Sequence, residues 1–106
     1  MELSLGELLK KGVEAHKAGQ LQEAQRLYTT IINVQPNHAD ANHNMGVLAV
    51  GVGKIQASLP FFKAATAANP AIVQFWLSYI NALIKLDRSA DAQAVSVKAQ
   101  QQGFTG

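Results

Sequence analysis

Residues 43–70, from His43 to Pro70, read HNMGVLAVGVGKIQASLPFFKAATAANP, and the fold follows from how this stretch has to be buried. Gly53 divides it into two short antiparallel helices, each apolar on more than one side. Such a pair cannot bury all of its faces by itself. It needs a neighbour before it and another after it.

The flanking sequence supplies both. Gly12 and Gly46, Gly19 and Gly53, Tyr28 and Phe62, and Pro36 and Pro70 are each 34 positions apart. The same interval links Asn42 to Trp76, Ala49 to Leu83 and Ala65 to Ala99. One domain of three units follows, spanning 5–38, 39–72 and 73–106. Gly12 and Gly46 let the two helices of a unit approach closely, with Ala24, Ala65, Ala92 and Ala99 on the facing side. Tyr28, Phe62 and Trp76 are then expected to fill the space between units. Gly19 and Gly53 stand where the first helix must reverse, a turn suited to a residue free at positive φ. Pro36 and Pro70 end the second helix.

A period of about 34 residues with a helix-turn-helix pattern resembles the tetratricopeptide repeat family, over essentially the whole chain. The second unit carries Met45, Gly46, Gly53, Ser58, Phe62, Ala65 and Pro70 of that pattern. The first carries Leu8, Gly12, Gly19, Ala24, Tyr28, Ile31 and Pro36, and the third Trp76, Tyr79, Ala92 and Ala99. Departures are Lys11 for the usual leucine, Ala15 and Ala49 for an aromatic, Asp87 for glycine, Ser96 for an aromatic and Phe104 for proline. The outer units are therefore expected to pack less well than the middle one. The resemblance implies an all-α fold, a right-handed α-solenoid of three antiparallel helix-turn-helix repeats.

The expected helices run from Ser4 to Ala18, Leu21 to Val34, Ala39 to Val52, Ile55 to Asn69, Pro70 to Leu86 and Ser89 to Gln102. Ser4 and Glu7 have the spacing of a capping box. Ala24, Leu27, Tyr28 and Ile31 form one buried stripe. Pro60 lies just past the first turn of its helix, so a slight bend is expected there and no break.

Composition narrows the function. The 106 residues include no cysteine, which removes disulfides and thiolate metal or redox sites. Nine Lys and Arg against seven Asp and Glu give a net charge of +2, with no basic run longer than Lys10-Lys11, so nucleic acid is not an expected partner. The opening MELSLGELLKKG carries Glu2 and no apolar core of leader length, and the longest apolar run, Met45 to Gly53, is far short of the ~20 residues that cross a bilayer. A cytoplasmic, bacterial protein without membrane contact is the expectation. Gln100, Gln101 and Gln102 make the last helix polar, and the chain is expected to be the amino-terminal part of something longer. Leu3, Leu5 and Leu8 are expected either to cover the first helix or to offer a face for self-association through the terminal repeats.

Catalytic motifs are absent: there is no phosphate-binding glycine loop, no HExxH and no GxSxG. No cofactor and no enzymatic activity are expected. Asp40 and His43 share a helix face and His16 lies on another helix, but no third metal ligand is fixed by the sequence. The histidines are therefore expected to be solvated.

In tetratricopeptide arrays the first helix of each unit lines a concave groove, and the resemblance places Leu9, Lys10, Val13, His16 and Lys17 there, with Asp40, His43, Asn44, Val47 and Val50, and then Ser78, Asn81 and Lys85. Gly6, Gly51, Gln74, Leu77 and Ile84 fall on the same face. Three lysines against Asp40 leave this surface at +2. It suits a protein or peptide ligand that is acidic or has apolar anchors, with Asn44 and Asn81 able to bond its backbone. The resemblance to the carboxylate clamp of chaperone-binding arrays fails at Leu9, Val13, Gln74 and Ser78. Two readings result: a protein-interaction scaffold binding in the groove, or an accessory domain that recruits substrate for a larger bacterial glycosyltransferase, methyltransferase or sulfotransferase. FWLSYINALIKL resembles the arrays that precede such domains.

Overall fold

A computed structural model describes residues 3–104. Met1, Glu2, Thr105 and Gly106 lie outside the described residues, the latter two being the last positions of the expected third unit. The described chain consists of six helices: α1 (Leu5–Lys17), α2 (Leu21–Val34), α3 (Ala39–Gly51), α4 (Ile55–Ala68), α5 (Val73–Lys85) and α6 (Ser89–Gln101). Equivalent helices start 34 residues apart without exception, at 5, 39 and 73 and at 21, 55 and 89.

Each hairpin turn closes in the same way. The N–H groups of Gln20, Lys54 and Arg88 donate to the carbonyls of Ala15, Ala49 and Leu83, at 2.8–2.9 Å. Such a turn requires a left-handed residue just before the closing donor. Gly19 and Gly53 take it up with φ of 78° and 82°, and Asp87 does so at 60°. The expected start of the fifth helix at Pro70 is corrected. Pro70 and Ala71 form a turn and Ile72 caps the helix, just as Pro36 and Asn37 precede His38. The turn is held by one bond made with two different side chains. Asn42 Nδ2 donates to the Pro36 carbonyl at 3.0 Å, and Trp76 Nε1, 34 residues on, donates to the Pro70 carbonyl at 2.9 Å.

Other local expectations stand. Ser4 and Glu7 form the capping box. The stripe of Ala24, Leu27, Tyr28 and Ile31 is buried. Helix α4 runs through Pro60 unbroken.

The glycines act on the aromatic residues rather than on the alanines. A Cβ built on Gly12 would lie 2.6 Å from Tyr28, and one on Gly46 would lie 2.4 Å from Phe62. The two rings therefore sit against the glycine of their own hairpin. Each ring also joins a cluster shared with the next unit, as expected, Tyr28 with Met45 and Leu48 and Phe62 with Trp76 and Leu83.

Three antiparallel hairpins thus stack as an α-solenoid measuring 46 × 27 × 20 Å. Most of its buried apolar residues fall into two clusters strung along the stack, as nearest-neighbour stabilisation demands. The backbones of α1, α3 and α5 approach one another in sequence, whereas those of α2, α4 and α6 stay farther apart. The α1–α3–α5 layer is the more tightly spaced, so the stack curves toward it. Among the described residues no helix is long and apolar enough to cross a membrane.

Candidate functional site

Helix α3 touches every helix except α6, which is why Ala41, Asn42, Met45, Gly46, Leu48 and Ala49 are all buried. What it leaves for the inner layer is Val47, 38% exposed, and the half-buried Asn44 and Val50. Helix α5 faces them with Ser78, Asn81 and Lys85. A pocket of about 150 Å³ lies between the two helices, lined by Val47, Val50, Phe62, Ser78, Asn81, Ala82 and Lys85.

His43 stands beside this pocket. Its ring stacks on Phe75 with centroids 4.7 Å apart and tilts against Phe62 at 5.7 Å. Its Nε2 lies 2.8 Å from Ser78 Oγ, which also accepts a bond from Gln74 Nε2 at 3.3 Å. Burial pushes the imidazole below the ordinary histidine value, against the opposing pull of the Asn44 side chain and the Asp40 carboxylate. The ring is thus a neutral clamp joining α3 to α5. It also fixes the Ser78 hydroxyl on the pocket wall.

The expectation of solvated histidines is therefore corrected. Besides His43, His16 Nδ1 lies 3.3 Å from the Tyr28 hydroxyl, and His38 Nδ1 accepts from the Ala41 N–H at the start of α3. Among the described residues no three His, Cys, Asp or Glu side chains are grouped as a metal site.

Of the residues assigned to the groove, Val47, Val50, Ser78, Asn81 and Lys85 line one pocket, and His43 joins them through Ser78. The α1 set lies apart from it. Leu9 packs beside the Tyr28 cluster, Val13 is half-buried, and Lys10 and Lys17 are exposed. Asp40 is exposed on the first turn of α3. Phe62, Phe75 and Ala82 belong to the site and were not assigned to it by sequence. Phe75 was invisible to the period because Glu7 and Ala41 occupy the equivalent places. Phe62 had already been given a packing role, which it also fills.

The chemistry on offer is a shallow apolar floor, an amide, a hydroxyl and an ammonium group. Such groups are of the kind that can orient a ligand. They include no activated nucleophile.

No protein-family model and no curated protein matches the chain. Solved structures do. The chain superposes on a crystal structure of MamA with a TM-score of 0.85 at 16% identity, covering 94% of this chain and 58% of that one. A MamA RS-1 double mutant gives a TM-score of 0.79 at 20% identity, with 93% and 56% covered. MamA 41-end from Desulfovibrio magneticus RS-1 gives 0.74 at 21%, with 91% and 56% covered. The likeness establishes the fold, a helical-repeat solenoid. This chain spans a little over half the length of those structures.

Proposed function

We propose that this chain is a tetratricopeptide-type interaction module, non-catalytic, that captures a peptide or partner protein along the α1–α3–α5 layer. The observation carrying this reading is the pocket between α3 and α5. Five side chains assigned to the groove from the sequence converge there around an apolar floor. Val47 and Val50 take an apolar anchor of the ligand. The Asn81 amide pairs with its backbone, having both a donor and an acceptor, and Lys85 meets an acidic group. The likeness to MamA supports the scaffold fold on which this depends.

A comparative capture experiment tests it. The Val47→Glu/Asn81→Ala variant changes two exposed residues and leaves both clusters intact. It is expected to retain helical content and to lose about tenfold or more in recovery of any partner held by the wild type. Equal recovery by the folded double variant would remove the groove from the binding surface.

A further inference from the structure

Helices α4 and α6 both pack on α5 while their backbones stay apart, and a cleft lies between them. Two adjoining cavities of about 350 and 530 Å³ lie along it, sharing Lys63 of α4, Tyr79 of α5, and Val95 and Lys98 of α6. The cleft approaches α5 from a different side than the groove pocket does. Tyr79 and Leu83 form its floor, whereas Ser78, Asn81 and Lys85 face the groove.

Small residues hold the cleft open. In the preceding interface Ile32 and Phe61 pack against the Tyr28–Met45 cluster. Their counterparts 34 residues on are Thr66 and Val95, both of which border the cleft. Phenylalanine gives way to valine and isoleucine to threonine, and both changes remove volume from the space between α4 and α6.

Charge defines the occupant. The cleft is bordered by Lys63, Arg88 and Lys98 against a single carboxylate, Asp91, for a net +2. Arg88 already donates to Asp91 at 2.9 Å. Among the described residues Lys63 and Lys98 have no carboxylate in ion-pair reach, the pairs there being Arg26–Glu23 and Arg88–Asp91. The Tyr79 phenol stays protonated because burial raises it above its ordinary value, so it remains a donor. Length separates a polymer from a small anion. The α6 wall from Arg88 to Gln102 rises about 21 Å at 1.5 Å per residue, the span of about six residues of extended peptide.

The geometry points to this cleft as a second binding site, separate from the groove, for an extended acidic peptide segment carrying an apolar side chain. Ligand carboxylates meet Lys63 and Lys98, and the apolar side chain lies over Val95 against Leu59 and Pro60. A nucleic acid strand fits less well. Two free cations do not track a row of phosphates, Asp91 repels them, and the walls offer aliphatic surface where bases would need stacking partners.

The test uses the full chain, uniformly labelled with 15N, titrated with the peptide acetyl-Asp-Glu-Phe-Glu-Asp-Leu-amide, with its lysine-substituted counterpart and with hexathymidylate. Saturable shifts of the Thr66, Val95 and Lys98 amides with the acidic peptide, and not with the other two, are expected. Raising the salt should weaken them. Lys63→Glu/Lys98→Glu should weaken binding about tenfold or more. Val95→Phe, which restores the counterpart of Phe61 without altering charge, should close the cleft and abolish binding. Should Val95→Phe disturb the fold, the exposed lysine pair still decides. Absence of saturation at millimolar acidic peptide, shifts confined to Val47 and Asn81, an unaffected lysine variant, or preference for the oligonucleotide would each overturn the proposal.

Discussion

The second and third hairpins have the same helix register and opposite interiors, and the two helices of the third lie less closely along each other. In the second, Gly46 on the first helix faces Phe62 on the second helix. In the third, the equivalent residues are Ile80 and Ser96, so the large residue has moved to the other helix. Ile80 packs against the Phe62–Trp76–Leu83 cluster, and Ile80 and Ser96 border a residual cavity of about 50 Å³ that Phe104 helps to line. With Ile80 where the second hairpin has Gly46, the helices of the third approach less closely, and Ser96 leaves room for the larger side chain.

That comparison can be broken directly. Gly46→Ile drives a side chain into the Phe62 ring and should cost about 3 kcal/mol or more, because the helices must separate. Phe62→Ser empties a fully buried site and should cost about 3–5 kcal/mol. The double variant writes the third hairpin's pair into the second. It should be more stable than either single variant, with a coupling above about 2 kcal/mol in urea unfolding. Additive losses would show that the exchange in the third hairpin is tolerated only at the end of the stack.

The same exchange explains what could be read from the sequence. The 34-residue interval was legible wherever a glycine or an aromatic marked it, and it placed six helices. It was illegible at 80 and 96, where complementary changes erased both markers at once. Pro70 misled for a different reason: proline suits the first position of a helix as well as the turn before one, and the Trp76 bond to its carbonyl fixes the turn. The resemblance to tetratricopeptide arrays put Val47, Val50, Ser78, Asn81 and Lys85 on one face, and the structure brings these five to one pocket. The clamp of His43 on Phe75 and Ser78 was not legible, since it depends on how two helices cross. The cleft between α4 and α6 is defined by missing volume, which no single residue announces.

A smaller effect sharpens the comparison between interfaces. His43 has Leu9 as its counterpart in the first unit, so only the α3–α5 contact carries an imidazole there. Its folded-state pKa is lowered by burial from an ordinary value near 6.5. The sign follows from proton binding. Above about pH 6.5 the ring is neutral in both states and its contribution is complete. As the pH falls below that value the unfolded chain takes up the proton first, and stability declines until the folded-state value is passed. One proton limits the slope to about 1.4 kcal/mol per pH unit, and partial exposure of the ring makes it smaller. Thermal unfolding between about pH 5 and pH 7 should show this decline in the wild type and a flatter profile in His43→Leu. An unchanged slope in His43→Leu would assign the decline to other groups.

The hairpin turns yield the smallest difference. Gly53 has nothing within 4 Å of a Cβ position and a φ of 82°, so Gly53→Ala measures backbone strain alone and should cost about 1 kcal/mol. Asp87 already bears that strain at a φ of 60°. Its carboxylate stands between the negative end of the α5 dipole and the positive end of the α6 dipole, whose effects oppose each other. Asp87→Gly relieves the backbone strain and gives back part of the gain through the freer unfolded chain. A net stabilisation of about 0.5 kcal/mol is expected, raising the midpoint of thermal unfolding by about 2–4 °C. A fall in that midpoint would mean that the turn of the third hairpin depends on the aspartate side chain, and that Asp87 differs from Gly19 and Gly53 in role as well as in residue type.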